Sequence, residues 1–203
     1  PANRLNYMRM LQAVSQPELD SRGIENAIKS EASLCYRLLR YLNSATFGFA
    51  TEIHSVRHAL AMLGEREVRR WVRLVATLAA GQDKPSDLIL SALVRARFCE
   101  TLSSKIQHGG SDLFLLGLIS AMDSILGIPM SDVLENVPLD QETAAVLRGG
   151  ASPLRPLYQL MLAQESGNWE SVPALTRQLS LDETEVAAAS AEAMQWAREV
   201  TSS

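Results

Sequence analysis

Only two cysteines, Cys35 and Cys99, occur in the 203 residues, too few for a disulfide framework. Each sits in an apolar helical pattern and reads as a free, buried thiol, since free cysteine packs as a small hydrophobe. No uninterrupted apolar run approaches the roughly 18 to 20 residues that span a bilayer, and no charged-then-apolar leader opens the chain. The expected location is the cytoplasm. Positive charge is not in excess either. A net charge of −4 argues against general nucleic-acid binding, which needs a basic surface to displace counterions. The eight prolines and eleven glycines are scattered, so no low-complexity linker is evident. Alternating runs long enough for strands are missing, as are repeats of roughly 20 to 50 residues. There is no GxSxG, no histidine-rich loop and no phosphate-cradling glycine motif; Gly109-Gly110 and Gly149-Gly150 are plain loop pairs. The chain opens at Pro1 rather than methionine, as expected of a processed or excised piece.

What the chain does have is apolar residues at helical spacing. They make up 47% of it, enough for one sizeable helical core or two small lobes sharing one. The stretch Leu34–Leu78 is the best organised and reads as helix, ordered loop, helix, tight turn, helix. Leu34, Leu38, Leu39 and Leu42 give the first helix a buried face. Asn43, Ser44 and Gly48 break the pattern. Ser55 is the expected N-cap of the second helix, because its hydroxyl accepts a bond from an otherwise unpaired N–H. Ala59, Leu60, Met62 and Leu63 supply apolar bulk, and Gly64 suits a left-handed C-terminal residue. In the third helix Val68, Trp71, Val72, Val75 and Leu78 share one side at 100° per residue, and Arg66, Arg69, Arg70 and Arg73 share the other.

The rest of the chain continues in helices. Leu5–Val14 predicts one that ends before Pro17, and Asp20 or Ser21 caps the next. Residues 81–86 form a polar break containing a proline. A long helix is expected over 87–107 with Leu90, Leu93, Val94, Phe98, Leu102 and Ile106 inward, closed by the turn at His108–Ser111. A central helix is expected over 113–126. Further helices are expected near 131–136, 140–147, 154–165, 170–179 and 182–200, the last opened by a capping-box pattern of Asp182 and Glu185.

Within the organised stretch, the LLRYLNSA segment, then Ile53, Ser55, Ala59, Leu63 and Gly64 in an IxSxxxAxxxLG pattern, then the arginine-rich helix carrying Trp71, together resemble the HDOD domain, a helical output domain related to HD hydrolases. The similarity continues through LVRARFCE at Leu93–Glu100 and LLGLISAMD at Leu115–Asp123. PLDQETAAVL, ESGNW and MQW look like the branch found behind EAL domains in bacterial signalling proteins. The resemblance implies an all-α, HD-like multi-helix bundle. It also implies a single domain over residues 1–203, with 1–20 as a connecting helix from an upstream domain; the polar cluster at 81–86 is the expected lobe break, although such domains pack these parts together. Asn43, Ser44, Ser55, Gly64 and Trp71 are its structural motif residues.

HD enzymes hold a metal with a histidine on one helix, a His-Asp pair on the next and a further aspartate. By the resemblance those ligands fall at Ala96, at Ser120 and Ala121, and near Asp123. Alanine has no donor atom, and a serine hydroxyl is a poor ligand beside imidazole or carboxylate. The implied reading is no enzyme, no cofactor and a vestigial pocket at Ala96, Ser120, Ala121 and Asp123. His54, His58 and His108 supply no replacement. The arginines Arg66, Arg69, Arg70 and Arg73 read either as a solvated helix face or as a surface for an acidic partner, because guanidinium forks pair with carboxylates and phosphates. The expected function is a non-catalytic regulatory or protein-interaction module of bacterial signal transduction, linked to cyclic-di-GMP. Its partner would be a neighbouring EAL-type or other signalling domain, or a second copy, with no nucleic acid and no membrane. The alternatives are a ligand-binding sensor using the vestigial pocket, and a residual metal-dependent phosphohydrolase.

Overall fold

The computed structural model describes residues 11–29, 56–80, 86–136 and 139–202. Among them every regular element is a helix and none is a strand, so the expected all-α class holds. The chain divides into two compact units. One takes in Pro1–Asp83, Asn136–Pro138 and Ser202–Ser203, the other Lys84–Glu135 and Leu139–Thr201.

In the N-terminal unit, residues 11–15 are helical and stop before Pro17, with Leu11 and Val14 buried. Proline has no N–H to give and disfavours helix in the residue before it. The Asp20 carboxylate accepts the Gly23 N–H at 2.9 Å and so caps α1 (Ser21–Lys29). Helix α2 (Val56–Ala80) is broken at Gly64, where φ is 75° and ψ 167°. A left-handed glycine was expected there. The φ is positive, but the ψ is extended, a combination that only glycine takes at little cost. Beyond the break Val68, Val72, Leu74 and Thr77 are all buried. Asn43, Ser44, Ser55, Cys35 and His54 lie outside the described residues, as does the side chain of Trp71.

The C-terminal unit is built on α3 (Ser86–Leu102) and α4 (Leu113–Ile119). Ile89, Ala92, Leu93, Ala96, Phe98, Cys99 and Leu102 are buried along α3, whereas the expected core residues Leu90 and Val94 are only half buried. The helix ends at Leu102 rather than continuing to Gln107. There the N–H groups of Ser103 and Lys105 reach back only three residues, to Glu100 and Leu102, at 3.0 Å each. Ser103 and Ser104 favour such turns because their hydroxyls compete for backbone groups.

The single helix expected over 113–126 is two, α4 and α5 (Met122–Leu126), parted at Ser120–Ala121. The Ser120 carbonyl is taken by the Arg95 guanidinium at 3.1 Å, and the Ser120 hydroxyl donates to the Gly117 carbonyl at 2.6 Å. Side chains thus replace helical bonds at the break. Five helices complete the unit: α6 (Met130–Asn136), α7 (Gln141–Leu147), α8 (Arg155–Ser166), α9 (Val172–Gln178) and α10 (Glu183–Ser202). Asp140 caps α7, accepting the Thr143 N–H at 3.0 Å, and accepts the Ser111 hydroxyl at 2.9 Å. At α10 the Glu185 carboxylate accepts the Asp182 N–H at 3.0 Å, which is one half of the expected capping box. Asp182 itself binds the Thr184 N–H at 2.7 Å instead of that of Glu185.

Helices α3 and α4 touch backbone to backbone. A Cβ placed on Gly117 would stand 2.4 Å from the Arg95 carbonyl oxygen and 2.6 Å from the Ala96 Cα. Backbone atoms cannot swing aside as a flexible side chain does. Gly117→Ala is therefore expected to force the helices apart and to lower stability by about 1–3 kcal/mol or more, the usual cost of overpacking. Urea denaturation measures it, and a midpoint equal to that of the parent would show that the crossing can yield.

Candidate functional site

The four positions read as a vestigial metal pocket are all placed in the C-terminal unit. Ala96 is fully buried on α3, and Ser120 and Ala121 are buried at the break between α4 and α5. Asp123, half buried on α5, accepts the Ser124 N–H at 2.7 Å. The Ala96 Cα lies at the crossing, 2.6 Å from where a Cβ on Gly117 would stand. Among the described residues, no group of three histidine, cysteine, aspartate or glutamate side chains is placed to hold a metal ion.

The polar centre at this place is Arg95, one residue before Ala96. Its guanidinium donates to the Ser120 carbonyl at 3.1 Å and the Ser120 hydroxyl at 3.2 Å. It also forks onto Glu165 of α8, with Nε 3.0 and 3.1 Å from the two carboxylate oxygens and a terminal nitrogen paired to the same group. The Ser91 hydroxyl donates to Glu165 as well. One arginine thereby ties α3, the α4–α5 break and α8 together, and the bidentate fork fixes its orientation. Partial burial alone would push Glu165 up. The hydrogen bonds from Arg95 and Ser91 and the Arg95 charge outweigh it and hold the carboxyl below its usual range. Tyr158 moves the other way: burial raises it, the Arg95 charge opposes, and Asp123 and Glu165 add to the rise. Its phenol therefore stays protonated beside this cluster.

Sequence reasoning missed this network. Arg95 and Glu165 are 70 residues apart, beyond any helical spacing, although each sits inside a segment quoted for the resemblance. The adjacent thiol Cys99 is free. Burial pushes it up to about 12, and it lies 3.5 Å from the Met161 sulfur.

In the N-terminal unit, the four arginines do not form one open face. Arg66 is exposed. Arg69 donates to the carbonyls of Val14 (2.5 Å), Gln16 (2.6 Å) and Pro17 (3.0 Å) and pairs with Glu65, so it fastens α2 to the preceding chain. Arg70 is half buried. Arg73 is buried, 8% exposed. The reason lies in the same helix. Leu74 and Thr77 follow Arg70 and Arg73 by four residues each, fall on the arginine side, and are buried. That signal stood in the sequence. His58 is half buried on α2 and His108 half buried in the turn after α3. No helix among the described residues is long and apolar enough to cross a membrane.

A family model described as the HDOD domain matches residues 1–142. Among curated proteins, the chain is similar to cyclic di-GMP phosphodiesterase CdgJ of Vibrio cholerae serotype O1. The two are 28% identical over 195 residues, which is 95% of this chain and 45% of that protein. It is also similar to the uncharacterized protein YuxH of Bacillus subtilis, at 26% identity over 94% of this chain and 47% of that one. The chain thus spans about half the length of both relatives. No solved structure gives a significant match. The expectation of no enzyme is overturned, because a relative aligned along nearly the whole chain is named a phosphodiesterase. The inference failed because absent ligands at Ala96, Ser120 and Ala121 bear on HD-type metal chemistry alone, not on hydrolysis in general.

The Arg95–Glu165 pair gives a stability prediction. Arg95→Ala and Glu165→Gln are each expected to destabilise, with a coupling in the double-mutant cycle of about 0.5–1 kcal/mol, the upper end for partly exposed pairs. A carboxyl whose pKa is lowered by folding stabilises above its unfolded value, here about 4.3, and loses that contribution as pH falls through the folded value. The coupling should therefore be present near about pH 7 and decline as the pH is lowered through the folded value of Glu165, which lies below its unfolded one. Urea melts of the four proteins over a series of falling pH values test it, and a coupling that does not decline would contradict it.

Proposed function

The chain belongs to the HDOD domain family, and from this we propose that it is a regulatory, protein-interaction part of a bacterial cyclic-di-GMP phosphodiesterase system. The observation that carries the reading is the likeness to a protein named a cyclic di-GMP phosphodiesterase, over 95% of this chain but 45% of that protein. The remainder of such a relative leaves room for a separate part with which this one communicates. A neighbouring EAL-type or other signalling domain is the proposed partner, and the cytoplasm the proposed location. The internal geometry supports such a role. Arg95 and the Gly117 crossing connect helices α3, α4 and α8 within the C-terminal unit. Arg66, exposed on α2, offers an anion-pairing group at the surface.

Expression of this chain in a bacterium that makes cyclic-di-GMP is expected to change the intracellular level of the dinucleotide, read by mass spectrometry. Arg66→Glu should keep the fold, since exposed substitutions cost within about 0.5 kcal/mol, and should reduce the change. A level that expression leaves untouched would count against a place in this signalling system. Turnover of the dinucleotide by the purified chain would add hydrolysis to its role in this system.

A further inference from the structure

The C-terminal unit holds a groove of about 430 Å³ between α3, α8 and α10. Its lining is mainly apolar. Leu90, Val94 and Phe98, spaced four residues apart, form one stripe of α3, faced by Met161 of α8 and Met194 of α10, and Trp169 of the α8–α9 turn also lines it. Ala96, Ser120, Ala121 and Asp123 do not line it; Arg95, which does, links it to Ser120.

Trp169 is 63% exposed and is held on a bonded turn rather than a loose one. Gly167 closes α8 in the left-handed region, the Asn168 N–H reaches the Ala163 carbonyl at 2.9 Å, and the Trp169 N–H reaches the Gly167 carbonyl at 3.0 Å. A large indole kept in water on a fixed turn beside an apolar groove is a feature that folding does not require. Half-buried Leu90, Val94 and Met194 extend the same unfilled surface.

Size and charge define the occupant. The volume falls within the roughly 300–1,000 Å³ typical of small-ligand pockets lined by apolar side chains with a few polar groups. From Asp87 to Phe98 the α3 wall runs about 16 Å, and a helix of that length and about 10 Å diameter would fill roughly three times the groove's volume. A partner helix could seat only side chains there, whereas one small molecule would be enclosed. Three charged side chains line the groove: Asp87, Arg95 and Glu165. Arg95 and Glu165 neutralise each other, which leaves the exposed Asp87 carboxylate and a net negative rim. Two thioethers give walls that adapt to irregular shapes, and the indole face attracts cations.

We propose that this groove binds a single small amphiphile with a flat or chain-like apolar body against Leu90, Val94, Met194 and Trp169 and a cationic or neutral hydrogen-bond-donating head toward Asp87. The site discriminates against fatty-acid-like anions through the acidic rim.

The test uses three probes of one chain length, decylammonium, decanol and decanoate, each titrated below its micellar concentration into the intact chain by calorimetry and by tryptophan fluorescence. Decylammonium and decanol are expected to saturate at one per chain, with decanoate at least about fivefold weaker because its head faces a carboxylate. Val94→Phe, which fills the groove, should weaken decylammonium about tenfold or more with an unchanged circular dichroism spectrum. If that variant does not fold, Trp169→Ala serves instead: its side chain is exposed, and it should weaken binding and remove most of the fluorescence change. Asp87→Asn should bring decylammonium and decanoate close to equal. Absence of saturable binding, preference for decanoate, affinities unchanged in both groove variants, or binding of an amphipathic helical peptide where none of the three probes binds would each overturn the proposal.

Discussion

The backbone contact between α3 and α4 is the constraint on which the C-terminal unit depends. At Gly117 there is room for a hydrogen and nothing more, with the Arg95 carbonyl and the Ala96 Cα directly opposite. Two small residues facing each other let the helix backbones touch, and close approach is what packs the apolar face of α4, buried along its whole length, onto α3. Residue 96, where the family resemblance would put a metal-binding histidine, lies fully buried in the same stretch of α3.

Arg95 turns that crossing into a connected frame. Because its backbone is fixed under Gly117, its guanidinium emerges at a defined place and meets both Ser120 and Glu165. Removal of the arginine would cost the Ser120 carbonyl this donor and leave Glu165 with the Ser91 hydroxyl. A second cluster runs parallel to it: Arg97 pairs with Glu100 at 3.0 Å and Glu192 at 2.5 Å and lies 5.7 Å from the Trp196 ring centre, which meets Phe114 edge-on. Through these two arginines α3 reaches α8 and α10 by charge as well as by apolar contact.

Much of this was legible in the sequence where the signal is local. Helices at 141–147, 155–166 and 183–202 were read close to their observed bounds because turn residues and caps such as Asp140 and Asp182 mark them. The split at Ser120–Ala121 was not legible, because Leu113–Leu126 alone is a continuous apolar pattern and the Arg95 contact at the break comes from another helix. The arginine side of α2 was misread for a different reason. Arg66, Arg69, Arg70 and Arg73 drew the eye as a set, while Leu74 and Thr77, interleaved on the same side, already implied that this half of the helix is enclosed. Long-range partners such as Glu165 carry no spacing signal at all.

Gly64 has a consequence for how the gene can vary. Its angles, φ 75° and ψ 167°, belong to a region closed to residues with a Cβ, although no neighbouring atom stands in the way of one. Every change at the first or second base of a glycine codon introduces a side chain or a stop. Drift at this codon is therefore confined to its silent third base, unless the flanking helices rearrange at the same time, and no enlargement of the surrounding space can relax that restriction.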